Sequence, residues 1–191
     1  MTRRDRVWTP EDERAFLDNA PTHLHLPLTL ALWTGQRQGD LLKLPWSAYA
    51  NGRITLKQSK TGARVSIPVG SPLKAALDAT TPRSPIILVN TDGKPWTEDG
   101  FRSSWAKACR KAGIVGVTFN DLRGTAVTRL ALAGCSEAQI ASITGHSLRD
   151  VRSILDSNYL HRDPELAVEA IRKLEARTNS PDRAPDRASE C

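Results

Sequence analysis

The chain has 191 residues, 39% of them hydrophobic. That is enough for one domain with a sizeable core, and no apolar run approaches the ~20 residues of a membrane span. Its 27 Lys and Arg outweigh 21 acids, leaving a net charge of +6 that is compatible with a polyanionic partner. Arg3, Arg4 and Arg6 have no apolar stretch behind them, so no secretory leader is expected and a cytoplasmic location is. Cys109, Cys135 and Cys191 are odd in number and far apart, without the close pairs of a zinc site. Idle thiols are expected, and no metal.

Thr9, Pro10, Glu11 and Asp12 read as an N-cap, a first-turn proline and first-turn acids, predicting a helix to about Asn19. A second apolar helix is predicted from about His23 to Trp33, ending near Gly35, with Pro27 in its first turn or at a kink. Asp40 to Leu44 predicts a short helical turn. The period then changes to two. Ile54, Leu56 and Gln58 alternate with Thr55 and Lys57, and Val65 and Ile67 with Arg64 and Ser66. Two strands follow, joined by a hairpin turn at Ser59-Lys60-Thr61-Gly62. Pro85 to Asn90 reads as a third strand, with a helix over Ser71 to Ala79 inserted before it.

After Thr97 the pattern is helical. Thr97, Glu98 and Asp99 open a helix whose apolar stripe is Phe101, Trp105, Ala108 and Ala112. The stretch from Gly100 to Asn120 carries Arg102, Lys107, Arg110 and Lys111 and no acid. A solvated face and contact with DNA phosphates explain it equally well. Helices near 121–133, 136–144 and 147–157 follow. A last one begins at Asp163-Pro164-Glu165 and places Ala167, Ala170, Ile171 and Leu174 on one face. From Thr178 apolar residues are lost and Pro-Asp-Arg-Ala occurs twice, as in a disordered tail. The strands lie too close together for helical crossovers. The fold class is therefore α+β, mostly helical with a small three-stranded antiparallel sheet.

Four segments carry candidate chemistry. They are Thr34-Gly35-Gln36-Arg37 with Asp40 behind it, Lys60 at the hairpin tip, Asn120-Asp121-Leu122-Arg123, and Thr144-Gly145-His146 followed by Tyr159-Leu160-His161. Singly, each has an ordinary reading. Arg37 is a helix-end surface residue, Lys60 keeps a turn soluble, Asn120 caps a helix with Asp121 in its first turn, His146 caps the next one, and Tyr159 packs with a wet hydroxyl. Together, in this order and from about Val7 to Leu174, they resemble the tyrosine-recombinase or phage-integrase family. Arg37 matches its Thr-Gly-x-Arg setting, Lys60 the hairpin Lys before Thr-Gly, Arg123 the His-x-Leu-Arg motif, His146 the Gly-His motif, and Tyr159 the nucleophile.

The resemblance implies a tyrosine-recombinase catalytic domain over residues 1–177, with 178–191 as tail, acting on double-stranded DNA without a cofactor. Arg37 and Arg123 would hold the two non-bridging phosphate oxygens with planar, permanently charged forks. His146 would donate a further hydrogen bond. Tyr159 would attack phosphorus and form a 3′-phosphotyrosyl link, and Lys60 would protonate the departing 5′-oxygen. Asp40 would support the site, and Arg102, Lys107, Arg110 and Lys111 would contact DNA. Family assemblies on DNA are tetrameric, and the last helix would either pack on its own domain or dock on a neighbour; alone, the chain is expected to be monomeric. A bacterial or phage origin and association with the nucleoid are implied.

Three departures qualify these expectations. Asn120 stands where the family usually has His, and Asn can donate a hydrogen bond but cannot exchange a proton near neutral pH. Tyr159 follows His146 by 13 residues, roughly one helical turn more than usual, as if a helix were lengthened. The N-terminal DNA-gripping domain is expected to be absent, with weak, salt-sensitive DNA binding as the consequence. Three other readings compete: a non-catalytic helix-turn-helix protein using residues 126–157, an inactive recombinase remnant that only binds DNA, and a type IB-like topoisomerase.

Overall fold

Thr9 opens the first helix, α1 (Pro10–Asn19), through a reciprocal cap. Its hydroxyl accepts from the Asp12 amide and the Asp12 carboxylate accepts from the Thr9 amide, at 3.1 and 3.0 Å. The computed structural model describes residues 6–158 and 165–178. A 3₁₀ turn (Thr22–Leu24) leads into α2 (His25–Thr34), which takes Pro27 in its first turn and ends at Gly35 with φ +62°. The short α3 (Gln38–Leu42) follows directly.

Three antiparallel strands come next: β1 (Tyr49–Ala50), β2 (Arg53–Lys57) and β3 (Arg64–Pro68), in the order β1-β2-β3. The β2–β3 register pairs Ile54 with Ile67 and Leu56 with Val65 on the inward face. The sheet is thus the small antiparallel one expected, but its third strand is not. Pro85 to Asn90 forms no ladder. It makes only isolated bridges, Pro45 with Ile86 and Val89 with Pro95. Pro45 and Pro85 both lack an N–H, so pairing between their segments stops after two bonds, from Trp46 N to Pro85 O and from Ile87 N to Leu44 O. Tyr49–Ala50 takes the third place instead, folded back on β2 across the Asn51-Gly52 turn.

The helices α4 (Ser71–Asp78), α5 (Glu98–Lys111), α6 (Asp121–Leu132), α7 (Glu137–Thr144), α8 (Leu148–Asn158) and α9 (Glu165–Thr178) complete the described chain. The stripe predicted on α5 is buried at Phe101, Trp105 and Ala108 and half-buried at Ala112, which caps the helix end; Phe101 and Trp105 face Trp8, Phe16 and Phe119. Phe16 stacks on Trp105 at 4.3 Å between ring centres, and Phe119 meets Trp105 edge-on at 4.8 Å. Each such side chain stabilises the fold by roughly 2–3 kcal/mol through burial, and each ring pair adds about 1 kcal/mol. The cluster also fixes the entry to α6. The Trp8 indole donates to Thr118 O and the Trp8 amide to Thr125 Oγ1, both at 2.9 Å.

A second, smaller core forms among α6, α7 and α8 from Val127, Ala131, Ile140, Val151 and Leu155. Helix α6 belongs to both cores, because Leu122 sits in the first and Val127 in the second. Residues 126–157 are therefore not an independent helix-turn-helix unit; the helix that would open it is embedded in the main core. On α9, Ile171 and Leu174 are more than half exposed. Among the described residues, no helix is long and apolar enough to cross a membrane.

Candidate active site

Arg37 lies just past the left-handed Gly35, in extended backbone at the entry to α3. Its carbonyl accepts from the amides of Asp40 and Leu41, which pins the residue at the helix start. Arg123 lies in the first turn of α6 and is 9% exposed. Lys60 stands exposed at the tip of the β2–β3 hairpin. These three residues come from separate segments and line one cleft of about 390 Å³, together with Gln38, Arg102 and Asn120. Four cationic side chains and one carboxylate, Glu98, face it. Glu98 also pairs with Lys43 at 3.7 Å. The cleft is built to hold an anion.

The two arginines are held differently. Arg123 donates through Nη1 to two backbone carbonyls, Gly35 O and Thr144 O. Its Nη2 is buried and has no partner among the described residues. A buried guanidinium nitrogen left without an acceptor is costly unless something else fills that position. Burial first, and then the neighbouring Arg37, pull Arg123 down to about 10, which leaves it charged at neutral pH. Arg37 is half-buried and donates through Nη1 to Gln58 Oε1 at 3.2 Å.

Asp40 ties the hairpin to this framework. Its Oδ1 accepts from the Ser59 amide at 2.9 Å and the Ser59 hydroxyl at 2.7 Å, directly before Lys60. His146 follows Gly145, which ends α7 in the left-handed conformation. Its Nδ1 lies 2.9 Å from Thr144 Oγ1. The Thr144 hydroxyl donates to Ile140 O, so its oxygen is left to accept, and the neutral imidazole carries its proton on Nδ1. Nε2 is then the unprotonated nitrogen. Burial, followed by Arg123 and Arg37, pushes His146 down to about 4.

Asn120 is exposed on the cleft wall and occupies the N-cap position of α6, but its side chain makes no capping bond. That corrects the reading of Asn120 as a side-chain cap. Asp121 fixes the turn instead, accepting from the Thr118 amide and hydroxyl at 2.6 and 2.9 Å. The four bases of α5 separate. Arg102 borders the cleft, where it also pairs with Asp99, and Arg110 lines a neighbouring groove beside Val115 and Phe119. Lys107 and Lys111 lie exposed on another face of the helix. Tyr159 and His161 lie outside the described residues, as does Cys191. Cys109 is buried, and burial raises its thiol to about 11.

Two buried glutamines at the site are not singled out by the sequence reading. Gln36 and Gln58 are 1% and 0% exposed and are bonded to each other at 2.6 Å. Gln58 has one signal, its place directly after β2 in line with the inward Ile54 and Leu56, while Gln36, in the loop between α2 and α3, has none.

The chain matches the Phage integrase family over residues 6–165. It is 30% identical over 183 residues to the shufflon-specific DNA recombinase of Escherichia coli, covering 91% of this chain and 44% of that protein. Its fold overlays the catalytic core of lambda integrase with a TM-score of 0.65 at 27% identity, covering 74% of this chain and 91% of the core. A lambda integrase tetramer bound to a Holliday junction overlays with a TM-score of 0.64 at 26% identity, covering 74% of this chain and 47% of that one. The chain thus spans less than half the length of the curated relatives it matches. With an ordered set of motifs on a shared fold, it belongs to the phage integrase family.

Proposed function

We propose that this chain is the catalytic domain of a site-specific DNA recombinase that cuts and rejoins strands through a phosphotyrosyl intermediate on Tyr159. The observation that carries this reading is the buried, unpartnered Nη2 of Arg123 in a cleft shared with Arg37 and Lys60. A phosphodiester supplies the missing acceptor. Arg123 and Arg37 bind its non-bridging oxygens and stabilise the added negative charge of the pentavalent transition state. Lys60, on a hairpin based on Asp40, protonates the 5′-oxygen as the P–O bond breaks. His146 in its neutral form accepts at Nε2, and it donates there to phosphate once protonated. Arg102 at the cleft rim contacts a flanking phosphate, and Arg110, Lys107 and Lys111 extend the basic helix along DNA. The DNA partner and a tetrameric assembly on it are carried over from the lambda integrase structures. A suicide DNA substrate should trap a covalent adduct with the wild-type chain and none with Tyr159→Phe. An adduct that persists in Tyr159→Phe would remove the nucleophile assignment.

Asn120 lines the cleft without a capping bond, so changing it should leave stability intact. Asn120→His restores a side chain that can exchange a proton near neutral pH. Cleavage should rise at least about ten-fold in single-turnover assays at constant melting temperature. An unchanged rate would show that this position contributes no acid–base help.

A further inference from the structure

Gln58 directly follows β2, in line with the inward Ile54 and Leu56, and is fully buried. Its side-chain amide makes four hydrogen bonds. Oε1 accepts from Arg37 Nη1 at 3.2 Å and from Thr61 Oγ1 at 2.9 Å. Nε2 donates to Gln36 Oε1 at 2.6 Å and to Thr144 O at 2.8 Å. The orientation is dictated by chemistry: a guanidinium cannot accept and a carbonyl cannot donate, so the amide cannot flip. Each bond reaches a segment that carries a candidate group. Arg37 is held directly. The Lys60 turn is held through Thr61 and through the Gly62 amide, which donates to Gln58 O at 2.9 Å. Thr144 O, which also accepts from Arg123, lies two residues before His146. A Cβ on Gly145 would collide with the side-chain amide of Gln58, so Gln58 occupies the space left by the glycine before His146.

We propose that Gln58 is a positioning residue that locks Arg37, the Lys60 hairpin and the Thr144–His146 segment into a single phosphate-binding unit. The role rests on the recombinase reading above. Glutamine is the residue type this junction needs. Glu would set a carboxylate oxygen against the carbonyl of Thr144, Asn is one methylene too short, and Met fills the space with neither donor nor acceptor. Thr61 completes the amide from the exposed side of the hairpin.

The test compares Gln58→Met and Thr61→Val with wild type and Lys60→Ala in single-turnover cleavage. Two DNA substrates are used, one with an ordinary scissile phosphodiester and one with a 5′-bridging sulfur. The sulfur leaves as a thiolate and needs no proton, so it bypasses the general acid. Gln58→Met should cleave the oxygen substrate about a hundredfold more slowly, the loss expected of a ~1 Å misplacement, with a clearly smaller loss on sulfur and DNA affinity within about threefold of wild type. Thr61→Val should show the same pattern at about threefold. No loss on either substrate overturns the positioning role, and equal losses on the two overturn the hold on the Lys60 hairpin and with it the single unit proposed. Should Gln58→Met melt below the assay temperature, the exposed Thr61→Val decides by the same criterion. Wild type forming no adduct at all would overturn the recombinase reading and this role with it. Lys60→Ala without sulfur rescue would locate the fault in the Lys60 assignment.

Discussion

Arg123→Lys is expected to lower the cleavage rate by about two to three orders of magnitude while DNA binding falls little. Arg123 does two jobs with one planar group. Nη1 is committed to Gly35 O and Thr144 O, and Nη2 is buried without a partner at the cleft. A lysine has a single ammonium at its tip. It can reach the two carbonyls or the phosphate, but it cannot present the second donor in the same plane. Affinity spread over many phosphate contacts is expected to survive, whereas the charge that develops at one phosphorus would be left to Arg37 and a misplaced ammonium. Arg123→Ala should add a stability loss, because two backbone carbonyls lose their buried donor at about 1–3 kcal/mol each. Arg37→Lys should keep stability more nearly intact, since Arg37 is only half-buried and its side chain makes one hydrogen bond among the described residues, to Gln58. Single-turnover cleavage with parallel urea denaturation separates the effects. Wild-type cleavage by Arg123→Lys would mean that Nη2 does not contact the scissile phosphate.

What the sequence revealed of this arrangement follows from how local each signal is. The caps at Thr9 and Thr97 are contained within four residues, and both accept the bonds their spacing predicts; the Ser136 cap is equally local but is not singled out by the sequence reading. The β2 and β3 strands alternate for five residues each and were readable for that reason. Strand β1 is two residues long, too short to alternate, and the apolar run at 85–90 looked more like a strand than it did. Arg37, Lys60, Asn120 and Arg123 are recognisable because their motifs are short and ordered, and they meet at one cleft. Gln36, Gln58 and Thr144 are not recognisable, because their partners lie up to 107 residues away. Apart from the place of Gln58 in line with Ile54 and Leu56, a buried glutamine carries no local mark that separates it from a solvated one. The run of bases on α5 is likewise one patch in sequence and two faces on the helix.

His146 makes the site pH-dependent, and the sign follows from its surroundings. In the unfolded chain the imidazole titrates near its ordinary ~6.5. In the folded chain burial, Arg123 and Arg37 hold it down to about 4, opposed only by Asp150. Between these values the unfolded state binds more protons. The stability that neutral His146 allows is therefore complete above about 6.5 and is lost as pH falls toward about 4. The part assignable to this residue is roughly 2–3 kcal/mol, measured as the wild-type minus His146→Asn difference in urea stability across that window. A bound phosphate is expected to reverse the balance. An oxyanion between Arg37 and Arg123 offsets the charges that suppress protonation, and it offers an acceptor to Nε2, the nitrogen that Thr144 leaves unprotonated. DNA binding should then take up a fractional proton near pH 6 and tighten as pH falls from 7 to about 5. Calorimetry in buffers of different ionisation enthalpy measures that uptake directly. Its absence in wild type, or its persistence in His146→Asn, would mean that His146 does not face the bound phosphate.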